Sequence, residues 1–124
     1  MKIKIIALGK IKEKFLKDGI DEFLKRLLPY ASVEIVELSP IEIKDENLIQ
    51  KVLEQEGEKI LSHIKNDSYV ITMEILGKQL SSEDFAQKIN EITNSGIGEL
   101  VFIIGSSCGL ASSVSARANF KLSM

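Results

Sequence analysis

Residues Glu99–Leu110 read ELVFIIGSSCGL, and the fold turns on how this stretch is understood. Leu100, Val101, Phe102, Ile103 and Ile104 are consecutive, mostly β-branched or aromatic, and too few for a free-standing helix. A short unbroken apolar run of this kind marks a strand covered on both faces, as in a parallel sheet between layers of helix. The run stops at Gly105, and Ser106, Ser107 and Gly109 follow. In open parallel sheets, ligands bind beyond the carboxyl ends of the strands, where a glycine lets them approach the backbone. The same turn reads equally as a plain strand-to-helix connection, with Ser107 or Ser112 as helix cap.

Working outward, the segments on either side repeat one theme. Lys2 to Leu8 (KIKIIAL) alternates and then runs apolar, predicting a first strand that Gly9 ends. From residue 13 to 28, Phe15, Leu16, Ile20, Phe23, Leu24, Leu27 and Leu28 recur at helical spacing until Pro29 stops the helix. Ser32 to Leu38 (SVEIVEL) predicts a second strand, and residues 45–65 a long helix striped by Leu48, Ile49, Val52, Leu53, Ile60, Leu61 and Ile64. Tyr69 to Ile75 (YVITMEI) predicts a third strand closed by Gly77. Ser81 or Ser82 caps a further helix that buries Phe85, Ile89 and Ile92. After the stretch at 99–104 come a short helix near 112–119 and a last strand, FKLSM, from Phe120. Strand and helix alternate throughout, so the expected fold is α/β: a parallel-rich sheet with helices on both faces, in one domain.

Composition narrows the function. The 124 residues include 44% hydrophobic and 27% charged residues, as in an ordinary globular chain. The one cysteine, Cys108, offers neither a disulfide framework nor a cysteine-based metal site, so no metal is expected. No apolar run approaches the ~18 residues of a membrane span, so no membrane is expected either, and a cytoplasmic location is the default expectation. The formal net charge is −2 but is unevenly spread. Residues 1–33 carry eight Lys and Arg against four Asp and Glu, whereas residues 34–99 carry six against fourteen. Lys10, Lys12 and Lys14 fall in the basic part, which permits a local basic face, the alternative being a solvated helix start and its flanks.

Several α/β chemistries have no counterpart in the loops. GxxxxGK[ST] is missing, and after the first strand the chain reads Gly9, Lys10, Ile11, Lys12 instead of GxGxxG. No GxSxG elbow occurs, and His63 is the only histidine. Gly77 and Gly105–Gly109 mark two loops that suit a nucleoside-like ligand held by backbone and apolar walls. With no evident nucleophile or base, this suits a reaction whose reactivity resides in the cofactor, such as methyl transfer from a sulfonium. No catalytic residue is assigned; Cys108 is read as a small packing residue, and Glu74, after Met73 at a strand end, either as a group that orients substrate or, the preferred reading, as a solvent-facing carboxylate.

Four segments together carry a family likeness: KIKIIALGKIKEKF at the N-terminus, EQEGEKIL at Glu54 to Leu61, VITMEILGKQLSS at Val70 to Ser82, and LVFIIGSSCGL at Leu100 to Leu110. In this order and spacing the chain resembles the ribosomal RNA large subunit methyltransferase H family of the SPOUT superfamily. The resemblance implies S-adenosylmethionine (SAM) as methyl donor, N3 of a pseudouridine in large-subunit ribosomal RNA as target, a trefoil-knotted fold and a homodimer. By position it implies cofactor loops at Met73, where the family usually has leucine, at Gly105, and at Met124, the start of a third loop. Ser106 stands where the family has a second glycine. The family continues beyond the position of Met124 into a helix threaded through the knot. The expectation is therefore one domain over residues 1–124, C-terminally truncated relative to the family and with the knot incomplete. The alternative is a dimerising binding module without a complete cofactor site.

Overall fold

The sheet follows from which strands can be covered on both faces. The computed structural model describes residues 1–9, 32–42, 44–105 and 109–123, and the helix expected over 13–28 lies outside them. Among the described residues five strands form one sheet: β1 (Lys2–Leu8), β2 (Ser32–Leu38), β3 (Tyr69–Gln79), β4 (Glu99–Ile104) and β5 (Phe120–Ser123). Their order across the sheet is β2-β1-β4-β3-β5, and every neighbouring pair is parallel. The apolar stretch that begins at Glu99 is thus the middle strand, in register with β1 from Lys2 opposite Glu99 to Ala7 opposite Ile104.

Helices cover both faces, as expected. Against one face lie α1 (Ile49–Leu61) and α3 (Ser112–Arg117), and against the other α2 (Ser82–Asn94). Because side chains alternate along a strand, each strand divides its residues between two cores. Ile6, Val70, Val101 and Ile103 pack with Leu53, Ile60, Ala111 and Val114 on the α1/α3 side. Ile3, Ile5, Ile71, Leu100 and Phe102 pack with Ile92 and Leu122 on the α2 side. Each fully buried aliphatic side chain contributes roughly 1.5–3 kcal/mol. Gly57 permits the close approach of α1 to α3, since a Cβ there would stand 2.9 Å from Ala111 Cβ.

Two boundaries differ from the sequence reading. The helix expected over 45–65 starts as a 3₁₀ turn, Glu46–Leu48, beneath an Asp45 cap whose Oδ1 accepts from Asn47 N at 3.0 Å. Its α-helical part ends at Leu61, where His63 N and Ile64 N reach back three residues, to Ile60 O and Leu61 O. Such bonds tighten the last turn into 3₁₀ form and release the chain. The second difference is β3, which does not close at Gly77 but runs to Gln79 with an interruption. Met73 and Lys78 both oppose Leu122 of β5, so residues 74–77 leave the ladder and return to it. At the tip of this excursion Ile75 and Leu76 are 94% and 99% exposed. The cap of α2 is the expected one, Ser81 Oγ accepting from Asp84 N at 3.1 Å.

The opposite, amino-terminal end of the sheet holds a buried charge cluster. Glu99 is 7% exposed, and its Oε1 accepts from Ser68 Oγ at 3.0 Å. Its Oε2 lies 3.7 Å from Lys2 Nζ and 3.9 Å from Lys4 Nζ, and Lys4 Nζ also donates to His63 O at 3.0 Å. The pairing ties β1 to β4 by charge as well as by backbone. Arg117 then fastens the turn before β3: its Nη2 donates to Lys65 O at 3.0 Å and Ser68 O at 2.9 Å, and its Nη1 to Asn119 Oδ1 at 3.1 Å. Asn119 exchanges two bonds with Val70, which sets β5 beside β3.

Candidate active site at the carboxyl edge of the sheet

In a parallel sheet all strands deliver their loops to one edge, and here that edge gathers the glycine-marked turns. β1 ends in Gly9, whose φ of 95° is accessible to glycine without strain. Its N–H donates to Leu38 O at 2.7 Å and Pro40 packs over it, so the ends of β1 and β2 are joined. The segment after β2 is held from below: Glu56 of α1 is buried, and its Oε2 accepts from Ile41 N at 3.1 Å. This gives the EQEGEKIL segment two local roles, a carboxylate supporting the β2 loop and a glycine admitting α3.

Gly105 follows β4 at the centre of the edge. A Cβ on it would stand 2.7 Å from Gly109 O and 2.8 Å from Leu110 Cδ2, so the chain folds back over it too closely for any side chain. The sequence reading reserved this glycine for the approach of a ligand; the return of its own loop already requires it. Ser106, Ser107 and Cys108 lie outside the described residues.

Met73 and Gly105, proposed from sequence as parts of one site, come to the same edge. Thr72, the last residue of β3 paired with β4, stands opposite Ile103, so Met73 lies one residue and Gly105 two residues beyond the end of that paired stretch. Met73 packs its side chain into the α2-side core, leaving its backbone at the strand end. It also pairs with Leu122 of β5; Met124 lies outside the described residues, as do Lys10, Lys12 and Lys14.

Of the two sequence readings of Glu74, the structure corrects the solvent-facing one. The side chain is half-buried, with Oε2 accepting from Thr72 Oγ1 at 2.5 Å and Oε1 from Ser115 Oγ at 2.9 Å. A strand hydroxyl and a helix hydroxyl thus orient one carboxylate at the edge. The period of two contained this signal, since Val70, Thr72 and Glu74 share the face that meets α3. The excursion is braced from β5 as well, by Ser123 Oγ donating to Ile75 O at 3.0 Å. Among the described residues no group of three or more His, Cys, Asp or Glu side chains converges as metal ligands. Nor is any described helix long and apolar enough to cross a membrane.

Comparison with known proteins places this geometry. The family described as "Predicted SPOUT methyltransferase" matches residues 1–124. The chain is 50% identical to the ribosomal RNA large subunit methyltransferase H of Carboxydothermus hydrogenoformans and 46% identical to that of Enterococcus faecalis. Each alignment covers 99% of this chain and 79% of the relative. A putative ribosomal RNA large subunit methyltransferase H of Methanococcus maripaludis is 46% identical over the same shares. With a parallel α/β sheet, a glycine loop at the centre of its carboxyl edge and a match along its whole length, the chain belongs to the SPOUT methyltransferase family.

Proposed function

We propose that the protein transfers a methyl group from SAM to N3 of a pseudouridine in large-subunit ribosomal RNA. The observation that carries this is the match of the whole chain to methyltransferase relatives whose names specify large-subunit ribosomal RNA. The edge described above is chemically suited to the cofactor. SAM combines a flat nucleoside with a positively charged sulfonium, and the edge offers backbone at Met73 and Gly105, exposed apolar side chains at Ile75 and Leu76, and one oriented carboxylate, Glu74. When bound, SAM supplies the electrophilic methyl group. The chain's own residues orient the ligand and exclude water, which accounts for the absence of an evident nucleophile.

The finer features of this reading rest on the family resemblance: a third cofactor loop beginning at Met124, a single domain, a homodimer acting in the cytoplasm, and Lys10, Lys12 and Lys14 on ribosomal RNA phosphates. The decisive experiment incubates the protein and methyl-labelled SAM with large ribosomal subunits lacking the modification. Label is expected in the large-subunit RNA, at a pseudouridine identified by nucleoside mass spectrometry. No incorporation above a protein-free control refutes the proposal.

A further inference from the structure

We propose that Glu74 is the residue that faces the positive charge of the cofactor's sulfonium, an inference that rests on the SAM-dependent reading above. Three observations carry it. First, the carboxylate is half-buried at the edge where β3 leaves the ladder, one residue beyond Met73 and two beyond Thr72, whose partner Ile103 lies two residues before Gly105. Its side chain lies on the face of the sheet that also carries Leu110 and Ala111, at the return of the Gly105 loop.

Second, both its oxygens are held by neutral donors, Thr72 Oγ1 and Ser115 Oγ, and among the described residues it forms no ion pair. The contrast with the other deeply placed carboxylate at a sheet end is instructive: Glu99 has two lysines within 4 Å. A partly desolvated carboxylate without a cationic partner is complementary to a cationic ligand.

Third, the two hydroxyls come from different elements, β3 and α3, and Thr72 is fully buried. They fix the carboxylate's direction before any ligand arrives, while each oxygen keeps a lone pair for a further contact.

The proposal separates two ligands that differ chiefly in charge. SAM carries the sulfonium, whereas S-adenosylhomocysteine has a neutral thioether in its place. Calorimetric titration of both into the wild type, Glu74→Gln and Ser115→Ala gives the test. Glu74→Gln keeps size and polarity but removes the charge, so it should weaken SAM about tenfold and S-adenosylhomocysteine less than about threefold. Ser115→Ala keeps the charge and should shift both affinities by the same factor. A purely structural role for Glu74 predicts equal losses of both ligands in Glu74→Gln, and that result overturns the proposal. If Glu74→Gln does not fold by circular dichroism, Glu74→Met, of similar volume, is measured and interpreted in the same way. Wild type that binds neither ligand refutes the SAM-dependent reading itself, an outcome distinct from unchanged selectivity in a variant that binds.

Discussion

Adding one methyl group at Gly77 tests the account of β3. Gly77 is where the excursion rejoins the sheet, and its Cα faces the backbone of β5. A Cβ there would stand 2.8 Å from both the carbonyl carbon and the oxygen of Lys121, and 2.9 Å from the carbonyl carbon of Leu122. These are main-chain atoms of a paired strand, so no side-chain rotation relieves the contact. Overpacking of this kind costs about 1–3 kcal/mol. Against it, replacing glycine by alanine restricts the unfolded chain and returns about 0.4–1 kcal/mol. The net expectation for Gly77→Ala is a loss of about 1–2 kcal/mol, or roughly 4–8 °C in Tm for a domain of this size. Gly98→Ala is the matched control: nothing stands within 4 Å of its Cβ position, and only the favourable chain-entropy effect remains. Both variants are measured by calorimetry and urea unfolding. If Gly77→Ala proves as stable as Gly98→Ala, β3 does not rejoin β5 at Gly77 and the described excursion is wrong.

Three further expectations concern other parts of the chain. Glu99→Ala should cost about 3–5 kcal/mol in urea unfolding because it strands Lys4 and Ser68 in a buried site, whereas Lys2→Ala, on a half-exposed partner, should cost less than about 1 kcal/mol; equal losses would refute a buried pair. Arg117→Lys keeps the charge but loses the planar fork that reaches the carbonyls of Lys65 and Ser68. A loss of about 1–3 kcal/mol should result, with faster amide hydrogen exchange over residues 65–68, and unchanged exchange would refute the clamp. Replacing Lys10, Lys12 and Lys14 together by alanine should reduce the slope of log affinity against log salt for ribosomal RNA by about 2–3; an unchanged slope would place these lysines away from phosphates.

The layout was largely legible because apolar content and period agree along the chain. The unbroken run in β4 announced the middle strand, and the alternation in β1 and β2 gave their bounds at Lys2–Leu8 and Ser32–Leu38. β3 was misjudged because Gly77 looks like a stop. Whether a glycine ends a strand or lets it pass close to a neighbour depends on β5, some forty residues later, which no local pattern contains. The bracing of Glu74 was not legible for a related reason. The carboxylate's spacing from Thr72 was visible, but Ser115 comes from a helix whose position only the packed sheet determines. Gly105 stood out in sequence as room for a ligand, whereas its contact with its own loop at Gly109 is a tertiary fact that no local pattern contains.

The strand order also dictates a timetable for synthesis. β1 emerges first, yet one of its two neighbours is β4, which begins opposite it at Glu99. At translation rates of about 5–20 residues per second, β1 waits on the order of 5–20 s for that partner. During this interval Ile3, Ile5 and Ile6, later fully enclosed, belong to a strand with an open hydrogen-bonding edge. Lys2 and Lys4 alternate with these residues, and charge on such an edge discourages pairing with another nascent chain. The charges that end as partners of Glu99 thus also stand on that edge while its intended neighbour is being made.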